Sequence, residues 1–151
     1  MPALVCVLAA MAFVPTADAQ TSPTNAGFIA QADQICGESN PRNFQLLKKS
    51  RALINKGRLR AGGRILIRNE RFELDYYGEI ADLPRPADAA FNELVDEFLE
   101  AQRGQAKARL KLGRLIRAGR PPRTWTRPDN RAFRLLRKAG RFSEQIGFTQ
   151  C

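Results

Sequence analysis

The stretch at residues 87–119 constrains the fold of this chain more strongly than any other. It contains no proline, and its apolar and small residues follow one another at spacings of three and four. This spacing is typical of a helix that packs lengthwise against other helices. The predicted inward-facing positions are Phe91, Leu94, Phe98, Ala101, Gln105, Ala108, Leu112 and Leu115. We therefore predict a long central helix around which the rest of the domain is organised.

A first helical arm is predicted at residues 26–56, with Asn25 as its N-terminal cap. Pro41 interrupts the apolar pattern, because the residue before a proline disfavours helical backbone. The arm is therefore either one kinked helix or two nearly collinear helices. Gly57 and the pair Gly62–Gly63 then predict a break in the chain.

A second arm is predicted at residues 64–83 and ends at a Pro-Arg-Pro sequence. Gly119, followed by two prolines after Arg120, ends the central helix. Thr126 is expected to cap the last helix, and Gly147 to end it so that the residue after it folds back onto the core. The links between helices are short, which makes neighbours antiparallel. The sequence therefore predicts an all-α, up-down antiparallel bundle of about four helices.

The first nineteen residues differ in kind from the rest. Residues 4–14 are uncharged and apolar, too short a run to span a bilayer, and Ala17-Asp18-Ala19 has the small-x-small pattern of a signal-peptidase site. We predict a signal peptide at residues 1–19, cleaved near Ala19, and one helical domain at residues 20–151. No positive charge precedes the apolar run, so a buried N-terminal helix is the alternative. An exported chain would be secreted or held in the cell envelope.

Removal of residues 1–19 leaves two of the three cysteines, Cys36 and Cys151. An even pair in an exported chain is most simply a disulfide. Two unpaired thiols are the alternative, although a terminal residue frays unless it is tied down. The predicted topology brings both cysteines towards the end of the bundle where the second arm meets the central helix, which supports the bond.

Three short motifs resemble a group of small exported helical proteins common in actinobacteria. They are FIAQADQIC at residues 28–36 with Asn40 after it, LPRPAD at residues 83–88 with Phe91 after it, and IGFTQC at residues 146–151 with Ala139–Gly140 before it. The resemblance implies an exported helical domain with a disulfide between the first helix and the C-terminus. That group has no established activity, so no catalytic residues carry over. The chain departs from it in its Gly62–Gly63 pair and its many arginines.

The chain has no histidine, which excludes histidine-dependent triads and axial haem ligands and makes most zinc sites improbable. Carboxylate chemistry would have two starting points, Asp33 and the segment Asp75-Tyr76-Tyr77. Asp33 is more simply explained by an ion pair with an arginine across the bundle. We therefore expect no enzyme activity, no cofactor and no metal.

Charge is segregated along the chain. Residues 39–69 carry nine basic residues and no acid, residues 70–100 carry ten acids, and residues 103–141 carry fourteen basic residues and one acid. The formal net charge is +10. Two basic stripes at helical spacing are predicted to lie side by side on the third and fourth helices. The candidate polyanion-binding residues are Arg114, Arg117, Arg120, Arg123, Arg127, Arg131, Arg134 and Lys138.

These stripes have two interpretations. They are either solvated charge that complements the helix dipoles, or a basic face for anionic envelope polymers and lipid headgroups. No aromatic residue interleaves with them, so sequence-specific nucleic acid is not an expected partner. Trp125 either packs on the core or anchors the chain at an interface. The function expected is a non-catalytic binding or structural module of the cell envelope; the alternative is a helical module that docks a protein partner or self-associates.

Overall fold

The computed structural model describes residues 23–151, so the predicted signal peptide at residues 1–19 lies outside the described part of the chain. Within residues 23–151 the chain forms four α-helices and a short 3-10 turn, and no strand. The helices are α1 (Asn25–Asn55), α2 (Leu59–Ala81), α3 (Ala89–Arg117) and α4 (Thr126–Ile146). The predicted all-α bundle of about four helices is confirmed, and α3 is the predicted central helix.

Each helix packs on its neighbour in sequence, α1 on α2, α2 on α3 and α3 on α4. The start of α1 lies beside the start of α3, where the Asn25 side-chain amide donates to Asp88 Oδ2 at 2.9 Å. Asp88 also caps α3 by accepting the Phe91 N–H at 3.0 Å. The chain therefore runs up and down through the bundle, and the α2–α3 connection lies at the same end as the start of α1.

The first arm is one helix that includes Pro41, which decides between the two alternatives left open by the sequence. Pro41 has no N–H to donate to the carbonyl of Gly37, four residues earlier, and Pro41 itself is exposed, so its ring lies on the outside of the bundle. The predicted cap at Asn25 is wrong by one residue. Thr24 caps α1, and its hydroxyl accepts the Gly27 N–H at 3.1 Å.

The predicted break at Gly62–Gly63 is wrong, because the pair lies inside α2. The predicted break at Gly57 is confirmed: Gly57 lies between α1 and α2, and its φ of +71° favours glycine. Gly62 and Gly63 are buried against the neighbouring backbones. A Cβ on Gly63 would stand 2.5 Å from the Arg117 amide nitrogen and 2.7 Å from the Gly113 carbonyl oxygen. The two glycines therefore let helices approach closely instead of breaking one.

The last helix begins one residue earlier than a Thr126 cap would place it. Thr126 is its first residue, Trp125 holds the cap position, and no side chain makes a capping hydrogen bond there. The predicted C-terminal end is confirmed. Gly147 has a φ of +91°, and Phe148 after it folds back to lie 5.1 Å, centroid to centroid, from the Phe98 ring.

The interior has two apolar clusters with polar residues between them along the helices. The larger cluster lies towards the α2–α3 connection and draws on all four helices. Its largest fully buried side chains are Phe28, Phe98, Ile80 and Val95. The smaller cluster lies towards the opposite end, around Leu66, Leu112 and Ile116.

The predicted disulfide between Cys36 and Cys151 is confirmed, with a Cα–Cα distance of 5.3 Å. Cys36 is buried in the larger apolar cluster, and Cys151 packs against that cluster. The bond therefore joins α1 to the last residue of the chain, although α1 and α4 are not neighbours in sequence.

Candidate functional site

Basic side chains of α3 and α4 line adjoining depressions on one surface of the bundle, which we call the α3–α4 basic groove. Its α3 side contributes Arg103, Lys107 and Lys111. Its α4 side contributes five residues, and Arg131 lines all three of the depressions. The α4 residues are Arg127, Arg131, Arg134, Lys138 and Arg141.

Small residues on α3 explain why the two stripes lie together. Ala101 and Ala108 are buried, and Gly104 lies between them on the same helix. Leu135 of α4 occupies the space above Gly104, where a Cβ would stand 3.2 Å from Leu135 Cδ1. Because α3 has only small residues along this line, α4 packs close to it. The long basic side chains of both helices lie beside this contact.

Few carboxylates neutralise the positive charge of the α3–α4 basic groove. Among the described basic residues of α3 and α4 that line the groove, Lys138 is the one with a carboxylate partner within 4.0 Å, and that partner is Glu97. Asp96 and Glu100 line the end of the groove nearest the α2–α3 connection, and Asp96 pairs with Arg85 at 2.9 Å. The end of the groove away from the α2–α3 connection, where Lys107 and Lys111 lie with Arg127 and Arg131, is lined by no carboxylate of the described chain.

The eight candidate polyanion-binding residues do not all lie on one surface. Four of them, Arg127, Arg131, Arg134 and Lys138, line the α3–α4 basic groove. Arg117 lines a different groove, and three others are exposed near the end of α3 and in the link after it without lining either groove. Those three are Arg114, Arg120 and Arg123. Lys107 and Lys111 belong to the site by position, although they were not among the eight.

A second set of arginines, which sequence reasoning did not group, converges from three helices. Arg64, Arg68 and Arg71 of α2 lie with Arg42 of α1 and Arg117 of α3 around a groove on the other side of α3. The Arg42 guanidinium stands 4.2 Å from the centroid of the Phe72 ring. The acid-free stretch at residues 39–69 was the available signal, but only the fold shows which of its basic residues meet.

Two buried carboxyl groups lie between the apolar clusters. Glu70 is 0% exposed and Glu73 is 3% exposed. The side-chain amide of Asn69 donates to both, at 3.3 Å and 3.2 Å, and Arg109 of α3 lies 3.7 Å and 3.9 Å from them. Burial, reinforced by the charge of Glu73, raises the pKa of Glu70 to about 9, which outweighs the opposing effect of Arg109. Glu70 therefore keeps its proton at neutral pH.

Sequence reasoning missed these acids because it assigned the inward-facing positions of α2 to Ile65, Asn69, Phe72, Tyr76, Ile80 and Leu83. Three of these, Asn69, Tyr76 and Ile80, are buried, whereas Ile65, Phe72 and Leu83 are half-buried. The available signal was the heptad spacing of the true stripe, which runs through Leu66, Glu70, Glu73, Tyr77 and Ile80.

The two carboxylate candidates named from sequence lie in separate parts of the structure. An ion pair between Asp33 and an arginine was expected, but within residues 23–151 Asp33 makes none and instead accepts hydrogen bonds from the C-terminal tail. Asp75 is exposed beside the second arginine groove. Tyr76 and Tyr77 are buried, and burial raises the pKa of both phenols above the usual value. Within residues 23–151, no group of three or more His, Cys, Asp or Glu side chains is placed to hold a metal ion.

Trp125 is half-buried and packs against the smaller apolar cluster, next to the start of α4. This placement supports core packing over the alternative of an interfacial anchor. Its indole Nε1 is buried without a hydrogen-bond partner in the described chain.

The fold and the groove together define a class: a disulfide-closed, up-down four-helix bundle with an arginine-rich surface. No protein-family model, no curated protein and no solved structure matches the chain. Among the described helices, none combines the length and apolar character needed to cross a bilayer.

Proposed function

We propose that this protein is an exported, non-catalytic module of the cell envelope that binds polyanions through the α3–α4 basic groove. The observation that carries the proposal is the meeting of two basic stripes on one surface with little carboxylate to neutralise them. Like charges this close are unfavourable for the folded chain alone. A polyanion laid along the groove would relieve that repulsion.

Export is supported by the disulfide, since such bonds persist in oxidising compartments and are rare in the cytosol. The expected ligands are anionic envelope polymers and lipid headgroups, which share the phosphate and carboxylate groups that arginine binds in bidentate fashion.

The test is a charge reversal with a matched control. The triple variant Arg127→Glu, Arg131→Glu and Arg134→Glu reverses the α4 side of the groove, and binding of soluble polyphosphate would be measured by calorimetry at several salt concentrations. The control reverses three exposed residues of α1, Lys48→Glu, Lys49→Glu and Arg51→Glu, and has the same net charge.

We expect the groove variant to lose most of its polyphosphate binding and the α1 variant to keep it, because a local groove and not total charge would hold the ligand. Binding by the wild-type chain should weaken steeply as salt rises, since these charges are exposed to solvent. Equal losses in the two variants would show that net charge alone attracts the polymer, and the groove would then have no specific role.

A further inference from the structure

The second arginine groove, on the other side of α3, is a basic site in its own right. Arg64, Arg68 and Arg71 follow one another at spacings of four and three, so they lie on one face of α2. Arg42 of α1 and Arg117 of α3 complete the set of arginines that line the groove. All five residues are exposed, and none of them lines the α3–α4 basic groove.

The described chain does not neutralise these arginines. Among residues 23–151, none of the five has a carboxylate within 4.0 Å. Asp75 also lines the groove, one turn after Arg71, but does not pair with it. Like charges three or four residues apart on a helix repel each other. The helix dipole does not compensate, because α2 begins at Leu59 and both Arg64 and Arg68 lie in its N-terminal half.

The Arg42 guanidinium is held at the α1 side of the groove by an aromatic ring. It stands 4.2 Å from the centroid of the Phe72 ring, well within the range of a cation–π contact. This contact restricts the side chain of Arg42 before any ligand arrives. Less conformational entropy is therefore lost when Arg42 binds an anion in the groove.

The basic part of this α2 face is short. Arg64 and Arg71 are seven residues apart, which corresponds to about 10 Å along the helix axis. Beyond Arg71 the same face continues, at spacings of four, with the exposed acids Asp75 and Glu79. A long polyanion that followed α2 would therefore pass from arginines onto carboxylates, whereas a compact anion would contact the arginines alone.

We propose that the second arginine groove binds a compact anion with several phosphate groups, of which inorganic triphosphate is the simplest example. A phosphate group concentrates more than one negative charge on a few oxygens, and guanidinium groups bind such oxygens in bidentate fashion. A ligand with carboxylates instead would need more groups, and more space, to bring the same charge. The proposal does not depend on the polymer-binding role of the α3–α4 basic groove.

A second copy of the chain fits this groove less well than a compact anion does. The net charge of +10 makes two copies repel each other at long range. Residues 70–100 carry ten acids, but half of these are buried or already have partners within the fold. The five are Glu70, Glu73, Asp88, Asp96 and Glu97.

A lipid bilayer is also a poorer fit. The apolar residues that line the second arginine groove are Ile67, which is buried, and Phe72, which is half-buried and contacts Arg42. Proteins that lie on a bilayer insert exposed apolar side chains into its interface. The lining of this groove offers no such exposed side chain within the described chain.

The experiment measures binding of inorganic triphosphate, citrate and long-chain polyphosphate to the full chain by calorimetry at one ionic strength. The test variant is Arg68→Gln with Arg71→Gln. The matched control is Lys48→Gln with Lys49→Gln, which removes the same charge from exposed positions on α1 outside both grooves. Far-UV circular dichroism checks that each variant keeps its helices.

We expect the test variant to bind triphosphate about tenfold more weakly than wild type, because each lost arginine removes charge-assisted hydrogen bonds. Its binding of long-chain polyphosphate should change little, and the control should match wild type with every ligand. Asp75→Asn should bind triphosphate more tightly than wild type, because it removes a carboxylate from the lining. Citrate should bind more weakly than triphosphate.

Several results would overturn the inference. Equal losses of triphosphate binding in the test variant and the control would show that net charge alone attracts the anion. Citrate binding as tight as triphosphate binding, with the same loss in the test variant, would show that the groove does not select phosphate. A wild-type chain that binds long-chain polyphosphate but not triphosphate would remove this second site and leave the proposed function intact.

Discussion

Asp33 on α1 accepts hydrogen bonds from the backbone amides of Thr149 and Gln150, at 2.9 Å each, near the opposite end of the sequence. The Cys151 amide adds a third donor at 3.3 Å, and the Thr149 hydroxyl a fourth at 2.7 Å. Asp33 lies three residues before Cys36, so the carboxylate and the disulfide hold the same short tail. Three of the four donors to Asp33 are backbone amides, so the position of the tail depends mainly on its backbone.

We expect Asp33→Asn to destabilise the folded protein by about 1–3 kcal/mol, because an amide has one acceptor oxygen where the carboxylate has two. Partial burial opposes ionisation of Asp33, but the donors from Gln150, Thr149 and Cys151 outweigh it and lower its pKa below 3.8. The contribution of this carboxylate is therefore present above pH 3.8 and lost as pH falls through the lowered pKa.

Urea unfolding at neutral pH and at low pH would measure the effect of Asp33→Asn. The control is Asp75→Asn, the same change at an exposed α2 position with no hydrogen bond or ion pair within residues 23–151. A loss of the same size for Asp33→Asn and Asp75→Asn would mean that the tail contacts contribute nothing specific.

We expect the double variant Cys36→Ser, Cys151→Ser to lose about 4–5 kcal/mol of unfolding free energy. The two cysteines are 115 residues apart in sequence, so the bond restricts almost the whole described chain in the unfolded state. Guanidinium unfolding of oxidised wild type, reduced wild type and the double variant would measure this. The reduced protein should match the double variant; if both are as stable as the oxidised form, the bond does not constrain the unfolded chain as expected.

The Glu70 carboxyl is expected to make stability fall as pH rises. Its pKa is about 9 in the folded state against 4.5 in the unfolded state, so between these values the folded chain holds a proton that the unfolded chain releases. Stability from Glu70 is complete below pH 4.5 and declines as pH rises towards 9. Glu70→Gln, which is neutral at every pH, should therefore be more stable than wild type at pH 8, by about 1–3 kcal/mol.

Thermal or urea unfolding across this pH range would check the Glu70 prediction. Glu100→Gln, at an exposed position on α3, serves as the control and should follow wild type. The prediction is wrong if Glu70→Gln and wild type show parallel pH dependence between pH 5 and 9, since the buried carboxyl would then ionise normally.

Gly63→Ala is expected to cost about 2–4 kcal/mol, because the new methyl group would stand within 3 Å of backbone atoms of α3 that cannot rotate away. Gly78→Ala on the same helix is the matched control, since a Cβ there meets nothing within 4 Å. Gly78→Ala should stabilise the protein by about 0.5–1 kcal/mol through helix propensity. Denaturant unfolding of both variants measures the difference, and equal effects would mean that α2 and α3 are not in close contact at Gly63.

The sequence predictions that are confirmed and those that are wrong have different physical causes. The central helix α3 was predicted to within two residues at each end, because its apolar spacing and its terminating glycine are local signals. The disulfide followed from the cysteine count and the order of the helices. Gly62 and Gly63 were misinterpreted because a glycine pair can either end a helix or allow the backbone of a neighbouring helix to approach. The sequence alone does not distinguish these two roles.

In the candidate site, too, local sequence patterns predicted some features and tertiary contacts decided others. Arg127, Arg131, Arg134 and Lys138 were named from their spacing on one predicted helix, and they do line one surface. A second basic stripe on the third helix, which includes Lys107 and Lys111, was expected beside them, and both lysines line one depression together with Arg127 and Arg131. Asp33 could not be matched with the amides at the end of the chain, because no local pattern records a contact across more than a hundred residues.

The amino-acid sequence by itself determined the helical class, the antiparallel order, the pairing of the cysteines and the segregation of charge, since each depends on periodicity, turn residues or counting. Only the tertiary structure decided which basic residues form a groove, which carboxyl groups are buried and which apolar side chains remain in water. Those properties depend on the rotation of each helix about its axis and on its distance from the next helix. Both are set by side-chain packing between segments far apart in the chain.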